Sequence, residues 1–167
     1  MPEGEPSIPA IVIRRAVPDD ASAIVSLLYE SFLEYRSLYT VSGFAATVIS
    51  QSELIDRMHE GPVFVATING TVVGTVAITP KGESLYLRGM AVHPSARGQR
   101  IGDQLLSYVE DLAISQGVRR LSLSTTPFLK RAIRLYESFG FERIDEGPHD
   151  LHGTPLFTLQ KLLPLDP

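Results

Sequence analysis

The sequence predicts one mixed α/β domain, a central sheet of about six to seven strands with helices on both faces. Three observations carry that reading. The 167 residues suit one domain of ordinary composition, 44% apolar and 20% charged. Short β-branched runs alternate with stretches of helical periodicity. The order of these runs, β-α-α-β-β-β-α-β-α-β-β, mixes hairpins with crossover helices, so parallel and antiparallel pairs must share a sheet.

Residues 1–10 hold three prolines and two glutamates without periodicity, which predicts a flexible lead-in to a domain over 11–163. Ile11 to Arg15 is a β-branched strand. Pro18-Asp19-Asp20 then offers a helix start with acidic residues in the first turn. Ile24, Leu27, Leu28, Phe32 and Leu33 or Tyr35 continue that helix to about Tyr35. A second, less regular helix is expected over Ala46 to His59, with an aromatic loop between the two. Pro62 to Ile68 and Val72 to Thr79 flank Asn69-Gly70, a strong hairpin signal. Ser84 to Val92 is a third strand carrying Gly89, and a glycine inside a strand marks a bulge or relieves crowding.

Ile101, Leu105, Leu106, Val109, Leu112 and Ala113 form one face of a helix that Gln116-Gly117 ends. Leu121 to Thr125 alternates as a strand. Leu129 to Phe139 is another amphipathic helix, with Gly140 placed to close it. Phe141 to Asp145 and Leu156 to Leu162 supply the last strands.

Composition excludes several function classes. Fifteen basic against nineteen acidic residues leave a net charge of −4, which argues against nucleic acid as a partner. The absence of cysteine removes disulfides, thiolate metal sites and a cysteine nucleophile. No apolar run is long enough to span a membrane and no secretory pattern opens the chain, so a soluble, cytoplasmic protein is expected. His149 and His152 are too few for a metal site, and none is expected.

Chemistry concentrates in the segment from Leu85 to Leu106, a strand, a loop rich in Gly and Arg, and a helix. A helix N-terminus presents N–H groups without internal partners, and these bind phosphate oxygens. Gly98 and Gly102 clear side chains from that backbone, while Arg97 and Arg100 add charge. Tight turns also use such glycines, and the spacing is neither a P-loop nor a GxGxxG fingerprint.

Arg97-Gly98-Gln99-Arg100-Ile101-Gly102, after Ala91-Val92-His93-Pro94, resembles motif A of the GCN5-related N-acetyltransferases, with Arg100 where the pattern has its middle glycine. Ala132 to Phe141 resembles their motif B, A-x-x-L-Y-x-x-x-G-F. The resemblance spans about residues 11–162. It implies direct transfer of the acetyl group of acetyl-CoA to an amine of a small molecule or peptide in a ternary complex, without a metal. It places the pyrophosphate cradle on Gly98, Gln99, Arg100, Ile101, Gly102 and Asp103, beside Arg97. Met90, Ala91 and Val92 would pair with the pantetheine arm as an added strand. Many members of the family dimerise, which leaves a homodimer open.

By the same resemblance Tyr136 protonates the departing CoA thiolate. A phenol of reference pKa about 10 gives its proton uphill to a thiolate whose acid titrates near 8.5, unless packing or a hydrogen bond lowers the phenol. Packing alone would equally explain a tyrosine on this helix. The base is less defined. A lysine-like amine costs about 4–5 kcal/mol to present unprotonated at pH 7, an α-amine about 1–1.5. Ser124 stands where some relatives carry glutamate, leaving Glu83, His93 or water, although turn positions explain the first two as well. Leu129 replaces an asparagine that contacts the CoA arm in many relatives. Lys130, Arg131 or Arg134 could meet the 3′-phosphate or form a solvated face. For the acceptor, the family's usual regions hold Tyr29, Glu30, Glu34, Tyr35, Arg36, Tyr39 and Phe44, then His149, Asp150 and His152. The competing function is a non-catalytic acyl-CoA-binding sensory or regulatory module, and a weaker one is an interaction domain.

Overall fold

The structure is a computed structural model, described here for residues 10–164. The expected lead-in over 1–10 lies outside the described residues apart from Ala10. The strands are β1 (Ile11–Arg15), β2 (Val63–Ile68), β3 (Thr71–Lys81), β4 (Ser84–Val92), β5 (Arg120–Thr125), β6 (Glu142–Ile144), β7 (Asp150–Leu151), β8 (Thr154–Pro155) and β9 (Phe157–Leu162). The α-helices are α1 (Ala21–Phe32), α2 (Val41–Thr47), α3 (Gln51–Glu60), α4 (Ile101–Ser115) and α5 (Lys130–Ser138). Seven strands form one sheet in the order β1-β2-β3-β4-β5-β9-β6, and β7 and β8 pair separately. Only β4 and β5 run parallel, joined by the α4 crossover. The predicted mixed α/β sheet is therefore present.

Two apolar layers hold the sheet between helices. One unites Leu85, Leu87, Leu121, Leu123 and Leu159 with Ile101, Leu105, Leu106 and Val109 of α4 and Tyr136 of α5. The other packs Ile24, Leu28 and Leu54 of α1 and α3 on Val63, Val65, Ala77 and Ala91. Both sides of the sheet are thus removed from water, which supplies the main driving force.

The β2–β3 hairpin turns on Asn69 and Gly70, with φ of 50° and 79°, the two left-handed residues of a type I′ turn. The expected helix over 46–59 is instead two helices. Thr40 caps α2 by accepting from Gly43 N at 2.9 Å, and Ser50 caps α3 in a reciprocal box with Glu53. Buried Ile49 fills the core at the break between them. The first helix tightens into a 3-10 segment, Leu33–Leu38, rather than continuing as α-helix to Tyr35. The β7–β8 hairpin was not expected. Its strands have two residues each, too short for alternation, and its turn rests on His152 and Gly153 at φ of 51° and 95°.

Asp20 fixes the entry to α1. Its carboxylate accepts from Val17 N at 2.8 Å and from both terminal nitrogens of Arg14 at 2.8 Å. Those bonds, Arg14 foremost, hold its pKa below the usual aspartate value. A depressed folded pKa contributes stability that is complete above the unfolded value and drains away as pH falls through the folded one. Asp20→Asn should therefore cost about 1 kcal/mol at neutral pH. The deficit should shrink as pH falls, measured by urea unfolding at pH 7 and pH 3.

Candidate active site

The site arises from a failure of pairing. β4 and β5 match from Ser84↔Arg120 to Leu87↔Leu123 and no further. Beyond Leu87 they separate, which leaves the β4 edge without a strand on that side. At the same point β4 bulges. Thr75 pairs with Ala91 and Ala77 with Arg88, so Gly89 and Met90 together oppose Val76. Gly89 has φ of 62°, a conformation that favours glycine. The bulge reverses the alternation: Leu85 and Leu87 face the α4–α5 layer, yet Ala91 faces α1 and α3 while Met90 and Val92 turn toward α4.

A cleft of about 600 Å³ opens along this divergence. One end is the loop into α4. From Gly98 to Asp103, six consecutive backbone N–H groups make no hydrogen bond among the described residues. Gly98 has φ of 82° and Arg100 φ of 59°, so the loop is a concave nest of N–H groups at a helix N-terminus. Arg100 takes the left-handed conformation that a glycine would adopt freely, so the departure from motif A leaves the backbone shape intact. Left-handed backbone costs a β-branched residue about 1–2 kcal/mol. Arg100→Gly should then keep or raise stability while Arg100→Val lowers it, by less than that amount because arginine already bears part of the strain. Chemical denaturation of the two variants reads the difference.

Of the residues singled out for the cofactor, Met90, Ala91, Val92, Arg97, Gly98, Arg100, Ile101, Gly102 and Asp103 line the cleft. Gln99 does not and is exposed. The Arg97 guanidinium is engaged by Glu34, and His93 Nε2 lies 2.5 Å from Glu30, so the last turn of α1 and the 3-10 segment after it hold the loop that follows β4. A Cβ on Gly102 would fall 2.7 Å from Leu135 Cδ2, so this glycine lets α4 and α5 approach. Among the basic residues of α5, Arg131 reaches the lining and Lys130 and Arg134 do not.

Tyr136 lines the far side of the cleft, 7% exposed, its ring edge-on to Phe141 at 5.8 Å. Burial alone pushes its hydroxyl pKa above the ordinary phenol value. Among the described residues no hydrogen bond or neighbouring charge lowers it. Ser124 and Thr126 also line the cleft, and their hydroxyls are buried without a partner. Buried polar atoms are ordinarily paired, so hydroxyls without a close partner in a cleft, Ser124 above all since Thr126 has the Tyr39 hydroxyl near it, mark a place for water or substrate.

The remaining candidates separate clearly. His93 does not line the cleft, and its Nδ1 accepts from Ser95 N at 3.1 Å in the turn it caps. Glu83 lies at the opposite end of β4, 3.7 Å from Arg120. Asp103 is the only carboxylate or imidazole group in the described lining. Tyr35 and Tyr39 reach the cleft and pack on Phe128, with ring centroids at 6.2 and 4.8 Å. Tyr29, Glu30, Glu34, Arg36, Phe44, His149, Asp150 and His152 lie outside the lining. Thr40 ties this wall to the β7–β8 hairpin, donating from N to Thr154 Oγ1 at 2.9 Å and from Oγ1 to His152 O at 2.7 Å.

Sequence reasoning missed Arg57, Arg88 and Thr126. Arg88 carried a signal, a charge following Leu85 and Leu87 within a strand. Arg57 carried none, because its α3 register over the bulge follows from packing.

The comparisons agree with this geometry. Residues 25–141 match the Acetyltransferase (GNAT) family. An "uncharacterized N-acetyltransferase YjgM" of Escherichia coli is 32% identical over 141 residues, covering 80% of this chain and 83% of that protein. The PaiA N-acetyltransferase of Thermoplasma acidophilum, solved in complex with coenzyme A, superposes with a TM-score of 0.79 at 17% identity, over 92% of this chain and 99% of that one. YncA of Salmonella typhimurium, a putative acetyltransferase solved with acetyl-CoA, gives 0.69 at 23% identity, over 93% and 95%. With more than half its length matched and the fold shared, this chain belongs to the GNAT family of acetyltransferases.

Proposed function

We propose that the protein is a cytoplasmic N-acetyltransferase that moves the acetyl group of acetyl-CoA directly to a primary amine of a small molecule or peptide. The observation that carries this is one cleft that joins five of the six free N–H groups, those of Gly98 and of Arg100 to Asp103, at one end to Tyr136 and the Ser124 and Thr126 hydroxyls at the other. The pyrophosphate lies on the N–H groups from Gly98 to Asp103, whose dipole favours anions. Arg100 and Arg131, which make no ion pair among the described residues, add positive charge nearby. The pantetheine arm runs along the open edge of β4 at Met90, Ala91 and Val92, in the manner of an added strand.

The amine nitrogen attacks the thioester carbonyl carbon, the C–N bond forms, and the C–S bond breaks. Tyr136 gives its proton to the departing thiolate. The proton lost by the nitrogen passes to water held by Ser124 and Thr126, and solvent restores the tyrosine. Burial raises the phenol, but a thiolate leaving in the same dry surroundings is made more basic as well, so the transfer stays matched. With cysteine absent, no acyl-enzyme on a thiol competes with direct transfer.

Calorimetry with acetyl-CoA, paired with thiol release across amine classes, tests this. Saturable binding with turnover on one class supports it, and absence of binding refutes it. Binding without turnover on any class would favour an acyl-CoA sensory module, a reading that draws on the lack of a carboxylate or imidazole base beyond Asp103 in the described lining.

A further inference from the structure

The cleft wall opposite α4 carries charge that no role above uses. Arg57, on α3, is half-buried, and it makes no ion pair among the described residues. Its guanidinium sits over the β4 bulge: a Cβ on Gly89 would fall 2.7 Å from Arg57 Nη1. Arg88 stands beside it, one residue before the bulge. A terminal nitrogen of Arg88 is held by Glu60, while its Nε is buried without a partner. Both arginines line the cleft.

This arrangement is electrostatically incomplete. Two guanidinium groups meet one paired carboxylate, and burial together with the charge of Arg88 pushes the Arg57 pKa down to about 10. Glu53 and Glu60 offset this only in part. A half-buried cation without a paired carboxylate is partly stripped of water, and that strengthens its attraction for any anion that arrives. The position is fixed as well. Gly61 follows α3 and packs so closely on β3 that a Cβ there would collide with the Ile78 carbonyl. Arg57 N–H groups are therefore presented from a helix locked to the sheet, in the planar fork that suits a carboxylate.

We propose that Arg57, assisted by Arg88 Nε, binds the carboxylate of the acceptor, so that the substrates are small amines bearing a carboxylate, of the amino-acid type. The proposal rests on the acetyl-transfer reading and narrows its acceptor. An anion held over Gly89 lies at the strand edge along which the thioester arm runs, so a short spacer between carboxylate and amine places the nitrogen at the acetyl carbon. The nest at Gly98 to Asp103 opens on the α4 side and takes the phosphates, which leaves the arginine pair for the acceptor.

The test compares amino acids and ω-amino acids with their primary amides as acceptors, for the wild type, Arg57→Met, Arg57→Lys and Arg88→Gln. The wild type should favour the acids at least 10-fold in kcat/KM. Arg57→Met should raise KM for the acids 10-fold or more, leave the amides within about 3-fold, and leave acetyl-CoA affinity unchanged. Arg57→Lys keeps charge without the fork and should fall between. Calorimetry with the N-acetylated acids in the presence of CoA reads the same site without turnover. Weaker binding of these products to Arg57→Met than to the wild type supports the carboxylate site even if no acceptor turns over, an outcome that would count against transfer alone. Equal use of acids and amides by the wild type, equal losses for both in Arg57→Met, or no binding of the acetylated acids overturns the proposal.

Discussion

Replacing Tyr136 by phenylalanine should lower kcat about 100-fold while the affinity for acetyl-CoA stays within about 2-fold. A positioned general acid contributes about 10²–10⁴ in rate, and the variant removes one oxygen and nothing else. The ring remains against Phe141 in the α4–α5 layer, so packing is retained. Folding should not suffer, because the hydroxyl is desolvated without a compensating hydrogen bond, and such a group lends little stability. This separates the two roles open to a buried tyrosine on an amphipathic helix. A packing role predicts a variant as active as the wild type, and a catalytic role predicts a slow but well-folded enzyme. Steady-state kinetics with a thermal denaturation curve on the same preparation distinguishes them.

The second large effect concerns the backbone rather than a side chain. Asp103 is the third residue of α4, and its N–H is the last of the six without a partner. Proline is tolerated in the first turn of a helix, where the N–H it lacks would have no intrahelical acceptor. Asp103→Pro should therefore keep the fold while removing one donor to the phosphates. A charge-assisted hydrogen bond contributes about 1.5–3 kcal/mol, so acetyl-CoA should bind roughly 10- to 100-fold more weakly. Asp103→Ala supplies the contrast. It keeps the N–H and removes a carboxylate that repels phosphate, so its affinity should rise or hold. If both variants weaken binding alike, the side chain and not the backbone is the contact.

Much of this architecture was legible because local signals agreed with one another. Asn69-Gly70 demands left-handed backbone at two successive residues, and only a tight hairpin uses it. The spacing of Ile101, Leu105, Leu106 and Val109 describes a buried helical stripe, and those residues are at most 1% exposed. The glycine in β4 reported its bulge correctly, and the two family motifs contribute Gly98, Arg100 to Asp103 and Tyr136 to the lining of one cleft.

What escaped depends on distance in space. Thr40 and Ser50 split an expected helix through caps that compete with a continuous periodicity, and the outcome turned on Ile49 reaching the core between them. The separation of β4 and β5 is not announced by either strand alone: Gly89 marks a bulge in β4, but nothing in Ser124-Thr125 tells that β5 stops pairing with β4 after Leu123. His93 is a candidate base by its place after β4, but Glu30, 63 residues earlier, draws it away from the cleft. Arg57 is equally invisible. On α3 it reads as one more charge on a polar helix face, and only the packing of Gly61 on β3 sets it over the bulge.

The central claim is that the N–H groups from Gly98 to Asp103 hold the phosphates of acetyl-CoA. It is met most directly by titrating acetyl-CoA into ¹⁵N-labelled protein and following the backbone amides. Saturable shifts of the Gly98 to Asp103 amides, larger than those of α4 beyond its first turn, are the predicted result. Saturation elsewhere in the protein with these six amides unmoved would contradict it.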